Sequence, residues 1–241
     1  MIQKKIHYCW FGGNPMPNIL KKCIKSWKEK CPDYEIIRWD ESNFDINCND
    51  FVKEAYKNKA WAFVSDYARL KIIYDNGGVY LDTDVELLKS LDDLLNCEAF
   101  FGFQQADNQV NTGLCFGAQK NSHIIEKMMD EYNNIIFNNE KRNDIICTIL
   151  NTNALYKVGF NYSEDIQIID NIIVYPAKYF DPIAPGNSKN LMSKDAFSIH
   201  HYSATWTNKG NRLKRTIINI IGQEKILKLK KILGMIKWKS F

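Results

Sequence analysis

The sequence predicts an α/β protein built on an open and partly parallel sheet. In the first half of the chain, short apolar runs alternate with segments whose apolar residues recur at helical spacing. Such alternation is typical of βαβ units, in which helices cover the faces of a sheet. Two glycine pairs, Gly12-Gly13 and Gly77-Gly78, separate these runs where a turn is expected. The chain has 241 residues, which is enough for one α/β core of ordinary size.

Each element follows from the spacing of its apolar residues. The first apolar run ends at a glycine pair, which predicts a buried strand, and Pro17 opens a helical pattern directly after it. The strongest helical pattern stops at Gly77, a typical position for a helix end. In chain order, we predict strands at 4–11, 34–39, 79–81, 85–88, 99–103, 112–118, 166–175 and 196–202, and helices at 16–30, 51–57, 61–76, 122–137 and 144–151.

Composition excludes several classes of protein. Hydrophobic residues make up 45% and charged residues 25%, as in globular domains, so we expect neither a disordered nor a fibrous chain. No apolar run approaches the ~18 residues of a spanning helix, and the N-terminus lacks the apolar core of a signal peptide. Seven cysteines without a C-x-x-C pair argue against a disulfide framework or thiolate zinc site and favour a reducing compartment, the cytoplasm.

The charge of the chain is uneven. Residues 209–241 carry ten Lys or Arg and one acid, a balance of +9, so the total of +4 leaves residues 1–208 mildly acidic. We therefore expect a domain at 1–208 that does not bind nucleic acid, and a basic helical tail at 209–241. An apolar stripe marks this tail at Ile226, Leu229, Leu233 and Ile236. The tail either packs on the body or attaches to anionic lipid at the inner face of the membrane.

An acidic pair, Asp82 and Asp84, directly follows the short apolar strand after Gly77-Gly78. In an extended segment, side chains two residues apart point to the same side, so the two carboxylates can share one divalent cation. In isolation, a solvated turn is the simpler explanation of the pair. Asp66 and Arg69 share one face of the preceding helix, either as a structural ion pair or as an acceptor and a donor for sugar and phosphate oxygens.

These segments together resemble a known family. The runs AFVSDYARL at 62–70 and GGVYLDTDV at 77–85 are similar to the sugar-nucleotide-binding block of the D-x-D glycosyltransferases. The similar group contains bacterial capsule and lipopolysaccharide sugar transferases and yeast mannosyltransferases, and it shares its core with the large clostridial glucosylating toxins. IHYCWFGG at 6–13 and FSIHHYSATW at 197–206 resemble the first strand and the C-terminal motif of the family.

The resemblance implies a GT-A type fold, a Rossmann-like open mixed sheet flanked by helices. It also implies a Mn²⁺ or Mg²⁺ ion and a nucleotide-sugar donor, which we expect to be a UDP-sugar. The expected reaction transfers a hexose or N-acetylhexosamine, with retention, to a glycan or glycolipid hydroxyl in surface polysaccharide synthesis. The alternative is a non-catalytic nucleotide-sugar or glycan-binding module. A nucleotidyl or phosphoryl transferase is disfavoured, because the short Gly12-Gly13 loop lacks the lysine of a phosphate-binding loop.

The resemblance assigns roles to particular residues. As catalytic residues we expect Asp66, Arg69, Asp82, Asp84 and Trp206; as residues that contact the nucleotide sugar, Trp10 and Tyr80 together with Asp66, Arg69, Asp82 and Trp206; and as metal ligands, Asp82, Asp84 and the adjacent pair His200 and His201.

Each of these assignments has an argument from chemistry beside it. Trp10 is expected to stack on the base, although a strand tryptophan is more often core. Neighbouring residues of a strand point in opposite directions, so at most one of His200 and His201 faces the metal, and the pattern does not decide between them. Trp206 either holds the leaving group or packs at a domain edge. Asn111 and either Gln105 or Gln104 are expected to reach the sugar or the acceptor, and His7 to be a buried, hydrogen-bonded histidine.

Overall fold

The computed structural model of the protein describes residues 1–185 and 189–203. A seven-stranded mixed sheet forms its centre, in the order β2-β1-β3-β6-β5-β8-β7, and a two-stranded sheet pairs β4 with β9. The strands are β1 (Lys5–Cys9), β2 (Glu35–Trp39), β3 (Gly78–Tyr80), β4 (Val85–Leu87), β5 (Ala99–Gly102), β6 (Phe116–Ala118), β7 (Gln167–Ile169), β8 (Ile172–Tyr175) and β9 (Ser198–His200). Trp206 and the predicted unit 209–241 lie outside the described residues.

Five α-helices of the described residues flank the sheet, and three 3-10 turns lie in the connections between elements. The helices are α1 (Asn18–Lys30), α2 (Asp50–Lys57), α3 (Trp61–Asn76), α4 (His123–Asp130) and α5 (Cys147–Lys157), with 3-10 turns at Asp92–Leu94, Asn139–Asp144 and Ala177–Tyr179. β1 is parallel to β2 and β3, and β5 is parallel to β8, whereas β6 is antiparallel to both of its neighbours. The predicted open mixed sheet flanked by helices is therefore confirmed.

Two hydrophobic clusters hold this architecture together. The larger cluster contains Val64 and Leu70 of α3, and the smaller contains Trp27 of α1. Trp27 is fully buried, and its indole N–H donates to the carbonyl oxygen of Val85 at 2.7 Å. A buried tryptophan usually finds such a partner, and here the bond fixes β4 against α1. The segment before β4, which carries Asp82 and Asp84, is thereby held in place from its C-terminal side.

The glycine pair after α3 ends the helix as predicted. Gly77 and Gly78 have φ angles of 65° and 107°, which a side chain rarely allows, and a Cβ on Gly78 would lie 2.9 Å from the carbonyl oxygen of Lys5. His7 of β1 is fully buried beside this turn. Its Nε2 lies 3.0 Å from the carbonyl oxygen of Gly77, and Trp39 donates its indole N–H to Nδ1 at 3.0 Å. The expected buried, hydrogen-bonded histidine is confirmed, and burial lowers its pKa to about 4.

Several predicted bounds are wrong in the second half of the chain. The strand expected at 166–175 is the hairpin of β7 and β8, turned at Asp170 and Asn171, whose φ angles are 47° and 62°. Asp and Asn tolerate this conformation, which a two-residue hairpin turn requires. The helix expected at 122–137 ends at Asp130, and the one expected at 144–151 runs instead over Cys147–Lys157. Among the described residues, no helix combines the length and apolar character that crossing a membrane requires.

Candidate active site

A cleft of about 740 Å³ opens beyond the carboxyl ends of β1 and β3. Ligands of open α/β sheets bind at this edge. The predicted residues Trp10, Asp66, Arg69, Asp82, Asp84 and His200 all line the cleft. The start of α5 and the loop after β5 complete its wall. The structure therefore brings together residues that are as far apart in the sequence as the first and the last described strands.

Asp82 and Asp84 occupy a turn, which corrects the expected extended segment. The backbone N–H of Val85 donates to the carbonyl oxygen of Asp82 at 3.0 Å, which closes the turn between β3 and β4. Both carboxylates nevertheless reach the cleft. One ligand atom each from Asp82, Asp84 and His200 lies within 4.8 Å of the others. The two carboxylates therefore converge as expected, but a turn and not an extended strand brings them together.

β9 decides which of the two adjacent histidines joins the carboxylates. His200 pairs with Val85 in the small sheet, and its Nε2 lies 3.1 Å from Oδ1 of Asp84. His201 points elsewhere: its Nε2 lies 2.8 Å from Oε2 of Glu86. The expectation that His201 ligates the metal is therefore corrected, since strand alternation turns its side chain away from the cluster.

Asp84 is held on both oxygens. Its Oδ2 accepts hydrogen bonds from the backbone N–H and the hydroxyl of Ser203, at 2.7 and 2.8 Å. Burial raises the pKa of Asp84, but His200 and the Ser203 donors outweigh burial and hold that pKa well below its ordinary value. Asp84 is therefore an ionised ligand over the whole physiological pH range. No local sequence pattern marks Ser203, because its position depends on how the chain turns after β9.

Arg69 links the helix to the acidic turn. Its Nη2 lies 3.0 Å from Oδ1 of Asp66 and 3.2 Å from Oδ1 of Asp82, and its Nε donates to the carbonyl oxygen of Ser65 at 3.1 Å. Arg69 is only 3% exposed. Burial raises the pKa of Asp66 to about 6, although Arg69 opposes that rise. The guanidinium therefore anchors two carboxylates at the wall of the cleft.

Tyr80 lies beneath this group and not in the cleft. It is 1% exposed, its hydroxyl donates to Oδ1 of Asp82 at 3.1 Å, and its ring lies 5.1 Å from the Arg69 guanidinium carbon. The expected contact between Tyr80 and the nucleotide sugar is thus corrected: Tyr80 positions Asp82. Gly113 packs on the other side, where a Cβ would lie 2.4 Å from Oδ2 of Asp82. Only a glycine fits there without displacing the carboxylate.

The loop after β5 forms a hydrogen-bonded track along the cleft. Asn111 accepts from the backbone N–H of Gly113 at 2.7 Å and donates to Gln104 Oε1 at 2.7 Å. Gln104 in turn donates to Oδ1 of Asp107 at 2.7 Å. Gln104 and Asn111 line the cleft, as expected, whereas Gln105 turns away and bonds Asp181 through its backbone and side chain.

Two tryptophans border the opposite end of the cleft. Trp10 follows β1, lines the cleft and donates its indole N–H to the carbonyl oxygen of Asn14 at 2.7 Å. It is half-buried, so it is not the fully buried core residue of the alternative reading. Trp61, which sequence reasoning did not single out, lines the same region, and a Cβ on Gly12 would lie 2.7 Å from its ring. The glycine at the first turn allows this close approach.

The donor set fits a divalent cation. Two carboxylates and one imidazole suit Mn²⁺, whose protein ligands are oxygens and imidazole nitrogens. The second ring nitrogen of His200, Nδ1, is buried and has no hydrogen-bond partner among the described residues. The fully buried Asp181 raises the pKa of His200 from further away, after burial and Asp84 have exerted larger and opposing effects.

Comparison with known proteins finds similarity to glycosyltransferases. Residues 17–101 match the family described as the glycosyltransferase sugar-binding region containing a DXD motif. An uncharacterized glycosyltransferase of Acanthamoeba polyphaga mimivirus is 26% identical over 86% of this chain and 84% of its own. The chain is 27% identical to subversion of eukaryotic traffic protein A of Legionella pneumophila and 33% identical to inositol phosphoceramide mannosyltransferase 3 of Schizosaccharomyces pombe. These two matches cover 54% and 41% of this chain but only 24% and 29% of the relatives' lengths.

The cleft and its acidic turn thus occur in a chain that is similar to glycosyltransferases, over residues 17–101 for the family model and over most of its length for the mimivirus relative. The predicted resemblance to the D-x-D glycosyltransferases is confirmed over residues 17–101, and the structure has the expected mixed sheet flanked by helices. Of the predicted site residues, Trp206 lies outside the described residues, and the roles of the others in binding remain proposals.

Proposed function

We propose that the protein is a metal-dependent, retaining hexosyltransferase. It moves a hexose or N-acetylhexosamine from a nucleoside diphosphate sugar, a UDP-sugar, to a hydroxyl of a glycan or glycolipid. The observation that carries the proposal is the convergence of Asp82, Asp84 and His200 within 4.8 Å at the wall of a cleft of about 740 Å³. Arg69 and Asp66 extend this charged wall along α3.

Each residue of the cleft has a distinct task in this proposal. Asp84 and His200 hold the divalent ion, Mn²⁺ or Mg²⁺, and Asp82 contacts it directly or through water. When bound, the ion supplies positive charge that offsets the charge of the leaving diphosphate. Asp66 accepts a hydrogen bond from a donor-sugar hydroxyl, and Trp10 stacks on the base. Trp206 is proposed to donate its indole N–H to the leaving group.

The arrangement of charges supports sugar transfer over simple binding. The described wall holds three carboxylates and one guanidinium, and Asp84 is kept ionised by its partners. A glycan-binding module has no use for such a concentration of buried charge, whereas the transfer of a sugar from a diphosphate needs fixed charge where the leaving group develops its own. We nominate no nucleophile, since in a front-face mechanism the departing phosphate oxygen takes the proton of the acceptor hydroxyl.

Turnover of a donor panel tests the proposal. The full chain is incubated with nucleoside diphosphate sugars and Mn²⁺, with water as the default acceptor, and release of nucleoside diphosphate and the anomer of the free sugar are followed by NMR. We expect one UDP-sugar to release UDP, with the sugar formed first in its original anomeric configuration, and we expect EDTA to stop the release. Binding of nucleotide without any turnover would favour the non-catalytic module. Release of pyrophosphate would favour a nucleotidyl transferase.

We also propose a place of action. The +9 charge of residues 209–241 and their apolar stripe suit attachment to the anionic inner face of the cell membrane, where glycolipid acceptors for surface polysaccharide are made. Liposome co-sedimentation and a melting curve, run on the full chain and on a chain ending at Gly222, test this. Lipid binding that is lost on truncation and weakens with salt supports attachment. No lipid binding, together with a lower melting temperature after truncation, would make the tail part of the fold.

A further inference from the structure

A second cavity, of about 310 Å³, lies beside the cleft and has a different chemistry. The loop after β5 and the outer face of α5 form its walls. Asp107 lines both the cleft and this cavity, so the two spaces meet at one side chain. We call it the tyrosine cavity, after Tyr156 and Tyr162, which line it together with Gln109 and Asn153.

The two tyrosines distinguish this cavity from the rest of the surface. Among the described residues, Tyr156 and Tyr162 are the only Phe, Tyr or Trp side chains that are exposed, each at 43%. Exposed aromatic rings that lie together at a cavity are typical of ligand- and partner-binding surfaces. Tyr162 is fixed from behind, because its ring packs edge-on against buried Phe103 with centroids 5.3 Å apart. The ring of Tyr162 is therefore held in place before any ligand binds.

Part of the polar lining of the tyrosine cavity is unpaired, and the lining carries little charge. Oε1 of Gln109 is buried without a hydrogen-bond partner, and no partner is found among the described residues for the side chain of Asn153 or the hydroxyl of Tyr156. Asn153 and Tyr156 are exposed, so the amide of the first and the hydroxyl of the second are free to bond a ligand. Among the described residues that line the cavity, Asp107 supplies the one carboxylate, and none is a Lys or an Arg. This chemistry rejects phosphates and favours a neutral ligand rich in hydroxyl groups.

The position of the cavity links it to the reaction. The track from Gly113 through Asn111 and Gln104 to Asp107 connects Asp82 of the cleft with the edge of the tyrosine cavity. Helix α5 holds the same loop from below, where Thr152 accepts from the backbone N–H of Val110 at 2.8 Å. A molecule in the tyrosine cavity therefore sits at a fixed distance from the carboxylates of the cleft.

We propose that the tyrosine cavity binds a neutral pyranose ring of the acceptor, which makes the acceptor a glycan and not a phosphorylated lipid headgroup or a peptide. The C–H face of a pyranose covers an aromatic ring, and its hydroxyls pair with the amides of Gln109 and Asn153. The proposal rests on the proposed function for its meaning as an acceptor site, but the binding of a sugar ring is testable without turnover.

The test measures sugar binding directly on the full chain. Saturation-transfer NMR and titration with methyl pyranosides of glucose, galactose, mannose, N-acetylglucosamine and N-acetylgalactosamine are run on wild type, Tyr156→Ala, Tyr162→Ala and the two Tyr→Phe variants. Ile168→Ala on β7, 66% exposed, is the matched surface control. Circular dichroism and melting curves establish that each variant is folded.

We expect at least one pyranoside to bind wild type, and each Tyr→Ala variant to weaken it about tenfold, since an aromatic contact is lost. The Phe variants should keep most of the affinity, because the ring remains, and Ile168→Ala should keep all of it. Failure of all pyranosides to bind, or equal binding by folded Tyr→Ala variants, would overturn the proposal. A Ser- or Thr-containing peptide that binds where pyranosides do not would assign the cavity to a protein acceptor and overturn it as well. Donor turnover by wild type, measured separately, tells whether the proposed function itself has failed.

Discussion

The cleft and the tyrosine cavity adjoin each other but are built on opposite principles. In the cleft, ionised groups are buried and satisfied by one another: Arg69 is shared by two carboxylates, and Asp84 is bonded on both oxygens. In the tyrosine cavity, aromatic faces are exposed, and the side-chain oxygen of Gln109 has no hydrogen-bond partner within the described part of the chain. The first arrangement fixes charge in a low-dielectric wall, whereas the second leaves its groups available for a neutral ligand.

The difference separates two requirements of sugar transfer. Stabilising a leaving diphosphate needs preorganised charge, and that charge survives burial only when every group has a partner. Selecting an acceptor needs shape and unpaired hydrogen-bonding groups, which a protein keeps at its surface. We therefore expect changes in the cleft to affect catalysis and stability strongly, and changes around it to affect binding more mildly.

The largest effect is expected for Asp84→Asn. The change keeps the size of the side chain but removes the charge that His200 and Ser203 stabilise. Mn²⁺-dependent hydrolysis of the nucleotide sugar should fall by at least about 10³-fold, because several kcal/mol of charge stabilisation are lost. The matched control is Asp93→Asn at an exposed position, which should retain wild-type rates. Wild-type turnover in folded Asp84→Asn would separate the acidic turn from the chemistry.

The next effect concerns stability and compares two ion pairs. Arg69→Met leaves Asp66 and Asp82 facing each other without their shared cation, and breaking a buried pair costs about 3–5 kcal/mol. Arg38→Met removes a pair with Asp40 in which the Arg38 side chain is 47% exposed, and it should cost less than about 1 kcal/mol. Urea unfolding of both variants gives the comparison. Equal losses of unfolding free energy in the two variants would mean that the buried pairs of Arg69 stabilise the fold no more than the exposed pair of Arg38 does.

A smaller effect is expected for the buried His7, whose contribution to the free energy of unfolding depends on pH. The folded chain keeps His7 neutral down to about pH 4, whereas the unfolded chain protonates it near 6.5. The unfolded state thus binds the extra proton between these values, so the stability contribution is intact above pH 6.5 and declines as pH falls towards 4. The decline amounts to about 3 kcal/mol.

Urea unfolding between pH 4 and 7.5 measures this decline. His7→Gln, which keeps a donor and an acceptor, should flatten this part of the profile. His123→Gln, with a side chain that is 70% exposed, should leave the profile as in wild type. A wild-type profile in His7→Gln would show that another group is responsible.

The smallest effect is expected at the edge of the cleft. Trp10→Ala removes the proposed stacking partner of the base and should weaken UDP binding by about 1–3 kcal/mol, the range for a base on an aromatic ring. Isothermal titration calorimetry with UDP and Mn²⁺ measures it. Trp39→Ala is not a suitable control because Trp39 bonds His7, so Trp10→Phe serves instead and should keep most of the affinity. Unchanged UDP affinity in folded Trp10→Ala would reject the stacking role.

The sequence predicted the half of the molecule in which local signals agree. Apolar periodicity, Pro17 and the glycine pair at Gly77 indicate α1, α3 and β3 correctly, and Asp66 and Arg69 share a face because helical spacing is fixed. The carboxylates were predicted to converge through an extended strand, but a turn brings them together. The choice of His200 over His201 needed the pairing of β4 with β9, which joins residues far apart in the sequence.

Other features had no local signal at all. Ser203, Gly113 and Asp107 acquire their roles only through tertiary neighbours: a donor to Asp84, a space beside Asp82 and a bond to Gln104. The hairpin of β7 and β8 was read as one strand because Asp170 and Asn171 interrupt it without a glycine. Periodicity locates elements, but it does not say which loops meet at a cleft.

Direct measurement of metal binding tests the proposed role of the cleft most closely. Mn²⁺ is titrated into the full chain with UDP present, by electron paramagnetic resonance of the free ion, for wild type and Asp84→Asn. The convergence of Asp82, Asp84 and His200 predicts one Mn²⁺ per chain in wild type and a loss of that site in the variant. UDP that binds equally well in EDTA, or a Mn²⁺ site that survives in Asp84→Asn, would contradict the proposed metal-dependent mechanism.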